Sequence, residues 1–482
     1  MKRILFVAIA LAMAQPPAWA KRTPTPNVEP VIHDGVKYVA PNDNGRRGYI
    51  EAWDVKTGTK LWEQTIFENR INRLLEEDVQ WIFIKSLEVW DGKVMIADER
   101  NRSYSLDPKT RTVAKLAAVS SLVSAKSLPV YFGTYTGPSG SSKGIYRSLL
   151  DLKTGKLSEP VLAVEARNPS FLEIHPNGKF LYAVSESGGA GSVSAFAIAA
   201  ETGDLKFLNQ QPSRGEGPCH VNIDRTGKYA LVANYGSGSA AVIPIQADGS
   251  LGEPTGFVQH EGSGPNSQRQ KGPHAHSINI SPDNRFVFVA DLGIDKIMIY
   301  KLDTDKGALV ANDPPFAKVK PGAGPRHFVF HPSGVVAYII NELDCTITAF
   351  FYSSASGALT ELQTISTLPA GFSGSNACAE VRVHPNGKFL YGSNRGHNSI
   401  AVYRIDPAKG TLTLVEHETA DIKTPRNFNI DPTGGFCLVA NQDGDSVVVF
   451  RINETTGALE PTGQKVSVGK PVCIRFLRLS GM

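Results

Sequence analysis

The chain has 482 residues, 41% of them hydrophobic and 20% charged, with 50 Lys+Arg against 46 Asp+Glu and a net charge of +4. This is the composition of a globular protein, which excludes a disordered or collagen-like chain, and its near-balanced charge offers no footprint for nucleic acid or another polyanion. At about 100 to 200 residues per domain the length predicts two to four domains, or one large repeat architecture.

In chain order, Lys2 and Arg3 precede the apolar run Ile4 to Ala14, and Ala18-Trp19-Ala20 follows as a small-x-small site. Residues 1–20 therefore read as a cleaved secretory signal, which predicts a periplasmic or secreted protein. Removing them leaves 48 basic and 46 acidic residues, a net charge of +2. No later segment approaches the roughly 20 apolar residues of a membrane span, so no membrane insertion is expected. The cysteines, Cys219, Cys345, Cys378, Cys437 and Cys473, are odd in number and form no CxxC pair. They suit neither a disulfide framework nor a zinc site, and no bridge essential to folding is expected.

Lys21 to Pro30 is a Pro-rich leader. Beyond it, Gly48 to Trp62 and Val94 to Pro108 each resemble half a blade of a quinoprotein-type propeller, with a short helix expected between them over Glu68 to Asp78. Two such units cannot close a ring, so no quinone cofactor is implied. Residues 21–125 are read as an accessory β segment, joined through Ala117 to Leu128 to a propeller over 126–482.

From residue 130 onward one pattern repeats: an alternating strand, a turn and a second strand, as in Phe171 to Glu186. The turn residues fall at His175, Asp224, Ser281, His331, His384 and Asp431, a period of roughly 50 residues that signals a β-propeller blade. A third strand and a TG-x-L turn into a fourth complete each unit. Six units fill 169 to about 468. Pro471 to Leu477 supplies an inner strand without a blade, and Val130 to about Val164 supplies three strands without an inner one. Joining them predicts a seventh blade that fastens the ring and removes its open edges. The fold class expected is all-β, a seven-bladed propeller closed by N- and C-terminal strands.

The inner strands alternate. Leu172, Val221, Ile278, Phe328, Val381, Phe428 and Ile474 lie on a face expected to pack between blades, while Glu173, His220, Ser277, His327, Glu380, Asn427 and Arg475 lie on one expected to line a wet channel. The repeats also serve as their own control. The recurring turn histidines His175, His331 and His384, and the Asn or Asp ending the second strand, are read as structural. Five residues before the turn residue the copies diverge, reading Ser170, Cys219, His276, Arg326, Ala379 and Arg426; eleven after it they read Glu186, Tyr235, Leu292, Glu342, Arg395 and Gln442. The start of one antiparallel strand and the end of the next share a rim, so His276, Arg326, Glu342, Arg395 and Arg426 should converge at one mouth of the channel.

One imidazole, one carboxylate and three guanidiniums are the parts for acid-base work on an anionic, oxygen-rich small molecule. The structural alternative is that Glu342 and Arg395 merely pair across blades. His327 and Glu380, one step inside, are candidates for substrate contact or channel lining, and Glu186 for substrate contact. The Gly/Ser/Gln-rich stretch Glu261 to Gly272 should overhang the mouth, either as a lid with Arg269 reaching substrate or as a long loop. His274 and His276 share one strand face, but no third ligand lies close in sequence, so no metal is assigned. No P-loop or HExxH motif occurs, and no cofactor is expected.

Gly272-Pro-His-Ala-His-Ser-Ile278, Gly324 to Gly334 with its Pro-Arg-His core, Asn341-Glu342, Ser393 to Ile400 and Pro425-Arg-Asn-Phe428 together resemble the seven-bladed propeller lactonases. These are the bacterial 6-phosphogluconolactonase type, with related fungal carboxymuconate-cyclising enzymes. The resemblance covers most of 130–477. It implies that His276, Arg326, Glu342 and Arg395 stand at the catalytic positions proposed for the fungal relatives. It further implies water attack on a sugar-lactone carbonyl, with Glu342 or His276 as base and arginines holding the oxyanion and the acid. The expected ligand is a small anionic lactone or sugar acid. Two other readings remain open: a muconate-type cycloisomerase, and a non-catalytic propeller that binds a sugar acid or a protein partner. Oligomeric state is not legible in the chain.

Overall fold

The second strand of each repeat reads as an unbroken apolar run because both of its faces are covered. Phe389–Asn394 is buried at every position. Leu390 joins a cluster with Tyr338 and Ile340 of the preceding blade, whereas Phe389 and Tyr391 join Phe428 and Val439 of the following one. At ~25 cal/mol per Å² of apolar area removed from water, this two-sided burial is what orders the strands into a stack of sheets rather than one open sheet.

The computed structural model describes residues 25–26, 28–43, 45–69, 80–90, 93–99, 102–115, 127–137, 142–186, 189–199 and 202–477. The expected signal segment, the helix proposed over Glu68 to Asp78 and most of the joining segment lie outside these residues. The chain divides into two compact units, Met1–Ala125 and Lys126–Met482.

In the second unit seven four-stranded antiparallel sheets follow one another. Blade 1 spans 172–216, blade 2 218–259, blade 3 275–318, blade 4 325–366, blade 5 378–418 and blade 6 425–467. Blade 7 takes its inner strand from Pro471–Phe476 and its other three from Ser127–Thr134, Gly144–Asp151 and Val161–Glu165. The two ends pair antiparallel, Pro471 opposite Thr134 and Phe476 opposite Val130. Blade 7 packs on blade 6 through Val130, Phe132, Ile474, Leu438 and Val449, and on blade 1 through Tyr131, Cys473, Leu172 and Leu181. The ring is closed as the sequence predicts.

Two recurring hydrogen bonds tie blade 1 to 2, 4 to 5 and 5 to 6. Second-strand tyrosines reach the glycine of the turn between the third and fourth strands of the following blade: Tyr182 donates to the Gly249 carbonyl, Tyr338 to Gly410 and Tyr391 to Gly457, at 2.8 to 3.0 Å. The turn imidazoles do likewise: Nε2 of His175, His331 and His384 meets the carbonyls of Gly227, Gly387 and Gly434. Each Nδ1 accepts a backbone N–H two residues on, so the shared proton sits on Nε2.

The predicted apolar inner-strand residues are buried. The predicted wet channel is different. His220, Ser277, His327, Glu380 and Asn427 are 0 to 6% exposed, because large rings reach the axis and pack there. Phe171 lies 4.1 Å from His220 and 5.7 Å from His327, and the Arg475 guanidinium sits 4.5 Å from Phe171. Only the next tier, with Glu173, Asn222, Asn279, Arg382 and Asn429, is half-buried.

The first unit holds two four-stranded sheets, 31–68 and 84–115, over a shared core that includes Tyr38, Ile50, Ile84, Val94 and Leu106. Each is wider than the half-blade its sequence suggested, the first because the short Val31–His33 and Val36–Val39 add a hairpin. Asn42 links the sheets, its side chain bonding both the N–H and the carbonyl of Ile84.

Candidate active site

The rim residues are placed by one backbone device. In blades 2, 3, 4 and 6 the inner strand carries a register shift at its start, between Pro218/His220, Ala275/Ser277, Pro325/His327 and Pro425/Asn427. The residue skipped is Cys219, His276, Arg326 and Arg426 respectively. A bulged residue is re-aimed out of the ladder, which is why this position points to the mouth instead of into a blade interface. The second set is held at the facing strand end, where the Glu342 N–H donates to the Gly324 carbonyl at 2.7 Å and that of Arg395 to Ala377 at 3.0 Å.

Glu342 is the hub. Its Oε2 lies 2.9 Å from Arg326 Nε, 3.0 Å from Arg395 Nη2 and 3.8 Å from His276 Nε2; its Oε1 is 2.7 Å from Arg269 Nη2. Arg326 is 2% exposed and also donates to the Ala379 carbonyl, and Arg395 donates to the carbonyls of Ala377 and Cys378. His276 lies with its Nδ1 3.7 Å from the Cys219 thiol and its ring edge-on to Tyr235. Blades 3, 4 and 5 thus bring His276, Arg326, Glu342 and Arg395 together.

Burial is the largest influence on Glu342 and raises it, but Arg395 and Arg326, with His276 and Arg269, outweigh it and hold the carboxyl far below the usual carboxylate range. Burial, then Arg326, pushes His276 well below its ordinary value, so the imidazole is neutral at pH 7. Burial, then Arg395 and Arg426, lowers Arg326 to about 10, and it remains a cation.

The flanks differ from the hub. Arg426 is half-buried over the Tyr135 ring at 5.3 Å, and Tyr135 donates to Glu186 at 2.9 Å. His327 Nδ1 sits 3.1 Å from Glu380, which also accepts from Asn427 and Arg382. This pair lies in the closed tier beneath the rim, reached from His276 by a ring contact of 5.5 Å. His274 bonds the Tyr235 carbonyl and stacks on its ring. Among the described residues no group of three or more His, Cys, Asp and Glu is arranged to hold a metal, and no helix is long and apolar enough to cross a membrane.

Tyr235 and Tyr135 were not legible as members of the site, and Arg269 only as one of two alternatives. Arg269 arrives on the 261–272 connection, which is a built strap. The buried Gln270 side chain donates to Leu292 O and Asp295 Oδ1, both at 2.8 Å, and accepts from the Asn266 N–H. Tyr235, whose hydroxyl accepts from Arg269 Nη2 at 3.2 Å, occupies a rim position but lacks charge. Tyr135 comes from the strand that closes the ring. Only Arg269's Gly/Ser-rich context carried any sequence signal.

The closed seven-bladed ring carries a guanidinium-ringed carboxylate and a neutral imidazole at one mouth. Residues 129–476 match the family model "Lactonase, 7-bladed beta-propeller", and the chain belongs to that family of lactone hydrolases. It is 40% identical to the 6-phosphogluconolactonase of Bacillus subtilis, over 72% of this chain and 97% of that one. The 6-phosphogluconolactonase of Formosa agariphila is also 40% identical, over 55% of this chain and 75% of that one. Among solved structures, the periplasmic gluconolactonase of Pseudomonas aeruginosa is 34% identical with a TM-score of 0.70, covering 73% of this chain and 99% of that one.

Proposed function

We propose that the protein is an exported lactonase that opens a sugar-acid lactone, of the gluconolactone or 6-phosphogluconolactone kind, at the rim built on Glu342. Residues 126–482 are its catalytic propeller, and 21–125 an accessory β domain. The observation that carries this reading is four guanidiniums, Arg269, Arg326, Arg395 and Arg426, gathered around one ionised carboxylate and one neutral imidazole. The named relatives, one of them periplasmic, and the signal-like 1–20 support it.

His276 is the base. A group must be unprotonated to accept, and it must be stabilised once charged; Glu342, 3.8 Å away, offers that stabilisation as the imidazolium forms. Glu342 itself is too acidic to take a proton while its arginines remain. Water gives its proton to His276 and adds to the lactone carbonyl carbon. Arg395 and Arg326 hold the oxyanion. Collapse breaks the bond to the ring oxygen, which takes the proton from His276 and leaves a hydroxy acid. Arg269 and Arg426 bind the anionic end, and Glu186, through Tyr135, orients Arg426. His327 and Glu380 support His276 from below.

The test is a lactone panel with and without chelator, run on wild type, Glu342→Gln, Arg395→Ala and Arg426→Ala. We expect hydrolysis above buffer, a loss of about 100-fold or more in the first two variants, and in the third a loss confined to phosphorylated substrate. Wild-type rates at background on every lactone, or undiminished rates in the first two variants, sink the reading.

A further inference from the structure

Directly behind Glu342 and Arg395 lie two cysteines that pack in the core between blades 4 and 5 and to which the proposed chemistry gives no role. Cys345 ends the turn after Glu342, in the left-handed region at φ 58°, and Cys378 opens the inner strand of blade 5. They are 33 positions apart in sequence, yet share one pocket at the seam of blades 4 and 5. The Asn376 amide stands 3.2 Å from the Cys345 sulfur and 3.9 Å from that of Cys378. Thr367 Oγ1 contacts the Cys378 sulfur at 3.0 Å and donates to the Cys345 carbonyl at 3.0 Å. Both side chains belong to one buried cluster with Ile340, Ile347 and Val381.

The pair is wired into the site through the backbone. The Cys378 N–H donates to the Glu342 carbonyl at 3.2 Å, and the Cys345 thiol meets the same carbonyl at 3.9 Å. The Cys378 carbonyl accepts from Arg395 Nη2 at 3.0 Å. The geometry points to a reversible redox site: a hydroperoxide converts Cys345 and Cys378 to a disulfide, and the closure shifts the strand ends that hold Glu342 and Arg395.

The two sulfurs have distinct parts. Cys345 retains 7% exposure and Cys378 none. The neighbouring Cys378 side chain and the Asn376 amide bring Cys345 down to about 7 against burial, which raises it, whereas burial raises Cys378. Cys345 is therefore the thiolate that a small peroxide meets first. Its sulfur attacks one peroxide oxygen and breaks the O–O bond; the other oxygen leaves with a proton as alcohol or water, and Cys345 becomes a sulfenic acid. The Cys378 sulfur then attacks the Cys345 sulfur, and the displaced hydroxide leaves as water with the Cys378 proton. Two electrons have passed from two thiols to one peroxide. Forming the bond draws the sulfurs to about 2.05 Å and holds the two Cα atoms within about 4.4 to 6.8 Å, and the backbone on either side follows that geometry.

The test treats the full-length protein with hydrogen peroxide, blocks the remaining thiols, and maps the peptides alongside gluconolactone hydrolysis. We expect two of the five thiols to disappear, a cross-linked peptide holding Cys345 and Cys378, and a rate lowered about tenfold, as a small misplacement of charged groups does. Dithiothreitol should restore both. Cys345→Ser and, separately, Cys378→Ser should form no such peptide and keep their own rates through the treatment. A map that leaves both thiols free or joins other cysteines overturns the proposal, as does a bridge that leaves the rate unchanged. An inactive reduced protein would fall on the lactonase reading instead, since the map alone still decides the bridge.

Discussion

A single carboxylate shared by three guanidiniums is asymmetric in energy. Arg326 and Glu342 are both nearly sealed from water, so removing the charge of one strands the other, whereas Arg269 is 40% exposed and keeps its hydration. Glu342→Gln should therefore cost about 3 to 5 kcal/mol in urea unfolding, since it leaves a buried cation unpaired. Arg269→Gln should change stability by only about 0 to 1 kcal/mol. Equal losses in the two variants would mean the hub is not the closed ion cluster described. A cost of this size stays within the stability of a typical protein, so the rate of the glutamine variant can still be read. His276, Arg326, Glu342 and Arg395 were legible because a repeat exposes its own exceptions. Arg269 was legible only as one of two alternatives, since its place depends on how Gln270 anchors a strap that has no counterpart in other blades.

Among the elements, the blade-to-blade tyrosine bond is the feature most open to measurement. Tyr391 is buried and its hydroxyl meets the Gly457 carbonyl in a dry setting; Tyr229 makes the same kind of bond to Thr304 in an exposed one. Tyr391→Phe should destabilise by about 1 to 2 kcal/mol by leaving that carbonyl unpaired, and Tyr229→Phe by less than half as much, because water replaces the lost donor. Similar costs at both sites would argue against burial as the cause. The strands themselves were readable from alternation and the TG turns. The bulge at the head of the inner strand was not: it adds one residue without changing the apolar pattern on either side, so its only trace was the variability at that position. The closed tier of the channel was missed for a related reason. Polarity told which face His220, His327 and Glu380 share, but not that rings of this size meet across the axis.

For the whole molecule, His220, His276 and His327 stand in one contiguous stack, and burial, as the largest influence on each, pushes all three well below their ordinary value. The folded state then binds fewer protons than the unfolded chain once the pH falls beneath about 6.5, where an unfolded histidine titrates. Stability present above that pH should decline below it, by up to about 1.4 kcal/mol per pH unit for each of the three. Thermal melts from pH 8 to pH 5 should show Tm level at first and then dropping, and His327→Gln should flatten the drop. A Tm that rises on acidification would contradict the neutral stack. Glu342 works at the other extreme: its contribution is full above the unfolded carboxylate range and is lost only in stronger acid.

The seam of blade 7 has a kinetic consequence. Its partners are far apart in the chain, as the 301 positions between Leu172 and Cys473 at the same junction show, so the loop that must shut is nearly the full length of the propeller. Six blades can each form from neighbouring residues, but the latch waits for a rare, long-range encounter. Until then the strand Ser127–Thr134 offers an unpaired edge to any other chain nearby. Concentration during refolding should thus decide between a latched monomer and strand-exchanged aggregates.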